Sequence, residues 1–373
     1  MLRLGNALVE AGEYARAVPV FTEVVERSQQ LEDRRLELRA ALELIILEGF
    51  TENPEGQSAQ LVATAKEAIP LFEEAGDDDA LARAWHLVSH SDWAACRWGP
   101  RADALERGLT HAERGGDKRS QAELMGWLAN AISLGPTPAE DAIRRCHELL
   151  VRAEGHRAVE AHVRSAQASL TAMQGRFDEA RELYRTSRLI YADLGLMGWE
   201  AGRTTNGAIV ELISGNASAA AEELRWGADT LEAMGERNIF STVTAWLALA
   251  LTADGQYEEA VRALAKSEDA TVPGDIINEI LCRRARAKIL VWQGSLDQAE
   301  ELARDALIRV GETDMLNVHG DTLLDLAEVL RAASRHEQAG AVLEEALTLY
   351  ERKGNVISAD HSRRLAAELP VAR

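Results

Sequence analysis

The stretch "MQGRFDEARELY", residues 173–184, decides the fold: its glycine is followed two places on by an aromatic residue and three further on by an alanine. The pattern returns as "AGEYARAV" at Ala11, "WGPRADAL" at Trp98, "SGNASAAA" at Ser214, "DGQYEEAV" at Asp254, "QGSLDQAE" at Gln293 and "ASRHEQAG" at Ala333. Its alanines are Ala104, Ala142, Ala180, Ala220, Ala260, Ala299 and Ala339, spaced by 38 to 40 residues, and Ala17 and Ala59 extend the series towards the start. A fixed period of this length predicts a solenoid of repeats.

A second set of glycines lies between these corners, so each repeat has two corners. The set is Gly76, Gly116, Gly155, Gly195, Gly235, Gly274, Gly311 and Gly354. Glycine just past a helix end can take the left-handed conformation that reverses the chain. Apolar residues between corners fall at helical intervals, so each repeat is predicted to be a helix A followed by an antiparallel helix B. The corner alanine lets the two backbones approach, and Tyr14, Phe177 or Tyr257 fills the wedge beside it.

The predicted fold class is all-α, a right-handed superhelical solenoid of antiparallel helix pairs with units of about 40 residues. One helix pair cannot bury its apolar stripe alone, so stability is expected to come from stacking on the neighbouring pairs. We expect residues 1–373 to form a single repeat domain of about nine pairs, with residues 355–373 as a C-terminal capping helix and tail. The short first helix favours the hypothesis that Met1 is a cut in a longer chain, with Leu4 and Leu8 at an exposed apolar edge.

Composition excludes several classes of partner. Acidic residues outnumber Lys and Arg by 61 to 41, and a net charge of -20 repels a phosphate backbone, so no direct nucleic acid partner is expected. The three cysteines form no CxxC pair, which argues against a disulfide framework and suits a reducing compartment. No apolar run approaches the ~18 residues of a membrane span, and the N-terminus lacks a signal-peptide plan. These features predict a cytoplasmic protein.

A helix pair with "GRFDEA" at its internal turn resembles the tetratricopeptide repeat. This resemblance covers essentially the whole chain. Residues 126–146, "GWLANAISLGPTPAEDAIRRC", and residues 323–360, "LLDLAEVLRAASRHEQAGAVLEEALTLYERKGNVISAD", are similar to the C-terminal repeat region of bacterial signalling proteins that join an adenylate/guanylate cyclase domain, an ATPase domain and a tetratricopeptide tail. Similar tails occur in LuxR-type and antibiotic regulators. Ser334 replaces the corner glycine and Ala217 the aromatic residue, which leaves the local turn geometry open.

The resemblance implies a regulatory arm without the enzyme, because the chain has no GxxxxGK[ST] loop and no helix-turn-helix segment after Gly354. His86 and His90 stand four apart as zinc ligands do, but a third ligand is lacking, so no metal or cofactor is predicted. The adjacent carboxylates are read as solvated helix surface. The first hypothesis is therefore a non-catalytic scaffold that binds a protein or peptide, including attached ATPase or cyclase domains. The alternative is a sensor that binds a small molecule in the concave groove.

The A helices are expected to line this groove. Positions 13, 10 and 6 residues before each internal corner share one helix face, and they include His86 and Trp93, His162 and Ser165, and Arg284 and Lys288. Two patches stand out there. His86, Trp93 and Arg97 combine an aromatic ring with donors, while Arg284 and Lys288 form a basic spot that could hold an anionic group or pair with carboxylates of adjacent helices. Reversing both basic residues to Glu is predicted to abolish partner capture without loss of helicity.

Overall fold

A computed structural model describes residues 1–10, 13–49 and 57–370. The described residues are helical throughout, with no strand among them, which confirms the all-α class. The chain divides into two compact units: unit 1 comprises Met1–Ala94 and Pro100–Leu128, and unit 2 comprises Ala95–Gly99 and Ala129–Arg373. The single domain over residues 1–373 therefore stays a prediction. The corner at Ala11, the side chains of Tyr14 and Ala59, and the end of the predicted tail at 371–373 lie outside the described residues.

Unit 1 contains the first antiparallel pairs. Its helices are α1 (Leu2–Glu10), α2 (Tyr14–Gln30), α3 (Arg34–Gly49), α4 (Gln57–Ala75) and α5 (Asp78–Ala94), with most of α6 (Trp98–Gly115) and α7 (Lys118–Leu134). Phe21 and Phe72 are fully buried in its core. Leu8 is buried in the same cluster as Phe21, whereas Leu4 is 54% exposed, so only part of the expected apolar edge is open. Helices α2 and α4 continue through Pro19 and Pro70.

Unit 2 repeats one arrangement along its length. Its helices are α8 (Ala139–Arg152), α9 (Arg157–Met173), α10 (Phe177–Asp193), α11 (Met197–Gly202), α12 (Thr204–Ile213), α13 (Ala217–Met234), α14 (Asn238–Ala253), α15 (Tyr257–Ala270), α16 (Ile276–Trp292), α17 (Leu296–Val310), α18 (Leu316–Ala332), α19 (His336–Lys353) and α20 (Val356–Ala367). Each A helix packs on its own B helix, and α9, α12, α14, α16 and α18 also pack on one another in that order. This layering of A helices is what a solenoid of helix pairs requires.

The corner alanines occupy the tight crossings. All of them except Ala59, whose side chain is not described, are at most 5% exposed. Phe177 packs beside Ala180 and Tyr184, as predicted for the wedge. Tyr257 stacks on Trp292, with ring centroids 5.0 Å apart and planes 4° from parallel. The repeating motif is therefore a packing device, because it brings two backbones close and fills the gap with a ring.

The corners reverse the chain through left-handed backbone. Every glycine of the second set has a positive φ except Gly311, which ends α17 with a φ of -62°. Ser334 keeps the turn of the glycine it replaces, with a φ of 59°. The turn geometry is therefore kept at Ser334, although a Cβ atom in left-handed backbone raises the conformational energy of the folded chain.

Unit 2 also contains contacts between segments far apart in sequence. The Asp314 carboxylate accepts hydrogen bonds from the backbone N–H groups of Trp98 and Gly99, both at 2.7 Å. The buried Lys353 ammonium donates to the carbonyl oxygens of Ser133, Gly135 and Thr137 at 3.0, 2.6 and 2.9 Å. We call these five bonds the closure contacts. The expectation that only neighbouring repeats stabilise one another is therefore wrong for unit 2, because the closure contacts join residues 215 to 220 positions apart in the chain.

Candidate functional site

Four of the five predicted site residues of unit 2 lie on α9 and α16, within the continuous layer of A helices, and the fifth, Arg97, directly precedes α6. On α9, the Nδ1 atom of His162 lies 2.8 Å from the Tyr191 hydroxyl, and its ring meets Trp199 edge-on at 4.6 Å between centroids. Burial lowers the pKa of His162 to about 3, and the charges of Arg203 and His156 add to the shift. His162 is therefore a neutral imidazole at physiological pH and offers hydrogen bonding rather than charge.

Ser165 connects two A helices. Its hydroxyl accepts a hydrogen bond of 2.9 Å from the side-chain amide of Asn206 on α12, and Ser165 itself is fully buried. A similar bond joins the next helices, where the Asn278 amide on α16 donates to the Ser241 hydroxyl on α14. These bonds tie successive A helices laterally, so the polar groups of this layer hold the face together before any partner arrives.

The basic spot on α16 is part of a charged network with α18 and α19. The Nε atom of Arg284 donates to Asp325 at 2.6 Å, and Lys288 pairs with Asp325 at 3.4 Å and with Glu328. The Tyr350 hydroxyl donates to Asp321 at 2.6 Å. We call Arg284, Lys288, Asp321, Asp325, Glu328 and Tyr350 the Arg284 network. It contains three carboxylates and two cations, so the spot is not a basic surface.

Burial and pairing act against each other in this network. Burial disfavours the charged form of Lys288, but the carboxylates of Asp325 and Glu328 outweigh it and hold its pKa above the ordinary value. Burial raises the pKa of Asp321 although Arg284 acts in the opposite direction. Arg284 is 5% exposed, whereas the side chain of Glu328 is 46% exposed. The network therefore shows its carboxylate edge to solvent and keeps its guanidinium inside.

Two residues of the predicted aromatic patch, His86 and Trp93, lie on α5 in unit 1. The Arg101 guanidinium lies over the rings of Trp93 and Trp127, 5.8 and 5.3 Å from their centroids. His86 and His90 meet edge-on at 5.2 Å, and His86 Nδ1 lies 3.9 Å from Glu123. Burial lowers the pKa of His90 to about 4, with Arg101 and Arg83 adding to the shift. Trp93 remains 43% exposed, which makes it the accessible surface of this cluster.

The seven predicted residues are divided between the two compact units, and their role as a binding groove stays a prediction. His86 and Trp93 belong to unit 1, while Arg97, His162, Ser165, Arg284 and Lys288 belong to unit 2. Sequence reasoning missed Asn206 and Asp325, which bond to Ser165 and Arg284. Both stand nine residues before their internal corner, at Gly215 and Ser334, one place inside the positions considered. Including the ninth position before each corner in the predicted face would have identified both residues.

The described part of the chain holds no cluster of three or more His, Cys, Asp or Glu side chains arranged for a metal ion. None of its helices combines the length and the apolar character that a membrane crossing needs.

Antiparallel helix pairs in series, with small residues at each crossing and layered A helices, define a tetratricopeptide-like solenoid. The tetratricopeptide repeat family matches residues 1–35. No curated protein matches the sequence. Among solved structures, a Rap protein complexed with competence and sporulation factor is 13% identical with a TM-score of 0.70, over 94% of this chain and 97% of that chain.

Two further solved structures are similar. The apo form of RapI is 13% identical with a TM-score of 0.53, over 98% of this chain and 95% of that chain. A human IFIT1 dimer with m7Gppp-AAAA is 14% identical with a TM-score of 0.52, over 98% of this chain and 81% of that chain. At such identities the similarity establishes the fold alone.

Proposed function

We propose that this chain is a non-catalytic recognition scaffold whose A-helix layer in unit 2 binds a peptide segment of a partner protein. One observation carries the proposal: polar groups on successive A helices are bonded from helix to helix, as Ser165 is to Asn206 and Arg284 to Asp325. A face held together in this way is preorganised, so a partner does not have to order it on binding.

The chemistry of the face favours a partner segment that carries basic residues. The accessible groups of the Arg284 network are the Asp321 and Glu328 side chains, 31% and 46% exposed, whereas that of Lys288 is 19% exposed. Capture of an anionic group by Arg284 and Lys288 stays a prediction, and the neighbouring carboxylates argue against it because they already neutralise both cations.

The wider role that we propose is a regulatory arm of a larger cytoplasmic signalling protein, with an attached ATPase, cyclase or transcriptional regulator as the partner. The resemblance of residues 126–146 and 323–360 to such tails supports this role. Solenoids of similar fold carry ligands of different classes: the Rap protein is complexed with competence and sporulation factor, and IFIT1 with m7Gppp-AAAA. The net charge of -20 favours a protein over a nucleic acid here.

A photoreactive amino acid placed at Glu328, on the A-helix layer, tests the proposal in cells. The control carries it at Asp305 on the B helix α17, where the side chain is 56% exposed, comparable to Glu328. We expect a crosslinked protein from position 328 and not from position 305. Equal crosslinking at both positions, or none at 328, would contradict the proposal. Reversing Arg284 is a poorer test, because a second carboxylate buried against Asp325 would also disturb folding.

A second candidate function is small-molecule sensing, which is favoured by a cavity of about 390 Å³ in unit 2. The cavity is open to solvent, and its wall combines Val272, Pro273 and Leu302 with charged side chains such as Glu268 and Arg286. Its volume lies within the ~300–1,000 Å³ of ordinary ligand sites. A metabolite at ~100 times its dissociation constant stabilises a protein by ~2.7 kcal/mol. A thermal-shift screen that finds such a metabolite, with the shift lost in Leu302→Trp, would favour the sensor over the scaffold.

A further inference from the structure

A cavity of about 530 Å³ lies in unit 2 between the end of α18, the start of α19 and the segment 368–370 that follows α20. We call it the α18–α19 cavity. Its volume is typical of small-ligand sites, and one side is open to solvent. Its wall combines charged, imidazole and apolar groups, from Glu328, Arg331, His336, Glu368, Leu369 and Pro370.

The wall after α20 is held in place by Leu369. Its side chain packs against the core cluster that contains Leu330 and Ala339. A Cβ atom at Gly340 would lie 3.6 Å from the Leu369 Cδ1 atom, so this segment rests directly on α19. The walls of the cavity therefore belong to the packed fold, and a ligand would not have to order them.

Two opposite charges in the wall have no partner. Neither the Arg331 guanidinium nor the Glu368 carboxylate forms a hydrogen bond or an ion pair with any residue that the structure describes. Glu328, by contrast, is paired with Lys288. The Nδ1 atom of His336 is buried and lacks a hydrogen-bond partner within the same part of the chain, which is rare in folded proteins.

The two unpaired charges lie near each other, because both act on the same imidazole. Burial lowers the pKa of His361 on α20, and the charge of Arg364 adds to this shift. Glu368 opposes the shift, whereas Arg331 adds to it. The cavity therefore offers a cation and a carboxylate within interaction range of one side chain.

This combination matches the chemistry of a free α-amino acid. The carboxylate of such a ligand would accept hydrogen bonds from Arg331, and its ammonium group would donate to Glu368. Leu369 and Pro370 would contact an apolar side chain. A simple anion or a simple cation would neutralise only one of the two charges and leave the other beside a group of its own sign.

We propose that the α18–α19 cavity binds a free α-amino acid with a large apolar side chain. The proposal is independent of the peptide recognition described above, because Arg331 and Glu368 lie outside the Arg284 network. Only Glu328 borders both surfaces. The site is also separate from the cavity beside Pro273, whose wall shares no residue with this one.

Isothermal titration of L-phenylalanine into the full chain tests the proposal. We expect saturable binding with a dissociation constant of about 1 mM or tighter, as suits a ligand of this size. N-acetyl-L-phenylalanine lacks the ammonium group, and L-phenylalanine methyl ester lacks the carboxylate. Each should bind at least about tenfold more weakly, because one charge of the wall then stays unpaired.

Substitutions in the wall connect this binding to the cavity. Arg331→Gln and Glu368→Gln each remove one charge and should weaken the binding of L-phenylalanine at least about tenfold. The matched control is Arg352→Gln on α19. Arg352 is exposed, lies outside the cavity wall and forms no ion pair with any described residue. We expect the control to change the affinity less than about twofold.

Four results would overturn the proposal. The first is absence of saturable binding of L-phenylalanine, L-leucine and L-tryptophan up to about 20 mM. The second is equal affinity for N-acetyl-L-phenylalanine, which would indicate a peptide carboxyl terminus or another anion as the ligand. The third is an equal loss in Arg352→Gln and Arg331→Gln. The fourth is binding that occurs only after removal of residues 371–373, which would identify the chain's own tail as the occupant.

Discussion

Ser334 shows how a single backbone conformation constrains a repeat. Its φ of 59° places an exposed side chain in the left-handed region that its sister corners fill with glycine. We expect Ser334→Gly to raise the free energy of unfolding by about 1 kcal/mol, because the substitution removes the steric cost of the Cβ atom. Urea denaturation measures the change.

Gly255→Ala is the matched control at a sister corner. Gly255 has a φ of 75°, and a Cβ atom there would meet no heavy atom within 4 Å, so only the backbone cost changes. We expect a loss of about 1 kcal/mol. If both substitutions shift stability in the same direction, the corner backbone is not the cause.

At the scale of the helix, the contact between α16 and α18 contains both a buried ion pair and a half-exposed one, so their contributions to stability can be compared. The side chains of Arg284 and Asp325 are 6 and 9% exposed, so Asp325→Ala leaves a buried guanidinium without its main counter-charge. We expect a loss of about 3–5 kcal/mol. Glu328→Ala removes a half-exposed partner of Lys288 and should cost less than about 1 kcal/mol. Equal losses in urea denaturation would show that burial does not decide the strength of these pairs.

At the scale of the whole molecule, the closure contacts make the stability of unit 2 depend on pH. Burial lowers the pKa of Lys353 from its ordinary 10.5 to about 7, while Asp314 and Cys146, the titratable groups that act on it, shift it in the opposite direction. At pH values between these two pKa values, Lys353 is protonated in the unfolded chain but not in the folded chain. The free energy of unfolding must therefore rise with pH across this window.

Lys353→Met tests this dependence. The substitution removes the donor from three carbonyl groups and should destabilise the protein by about 1–3 kcal/mol near neutral pH. We expect the difference in free energy of unfolding between the natural protein and the variant to increase from pH 6 to pH 9. Only the natural protein gains stability as the amine of its folded state loses its proton. Lys266→Met is the control, since the Lys266 side chain is 54% exposed and pairs with Glu232 at 2.8 Å. A gap that is constant with pH would refute the role of Lys353.

The candidate site was partly predictable. Counting 13, 10 and 6 residues back from each internal corner placed Arg284 and Lys288 correctly on an A helix, because helix geometry follows from sequence spacing. It could not show that Arg284 is buried against Asp325, since that depends on the angle at which two helices pack. Nor could it show that His86 and Arg97 fall in different compact units.

The sequence by itself determined the helix pairs and their corners. The motif around Gly175 and Ala180 encodes a helix pair and its corner within one repeat, and each repeat packs on the next in the same way. Only the tertiary structure decided the closure of unit 2. Lys353 and the carbonyl group of Ser133 are 220 residues apart, and a contact at that separation leaves no periodic mark in the sequence. It arises from the curvature that accumulates over many stacked pairs, a sum of small angles that no single repeat records.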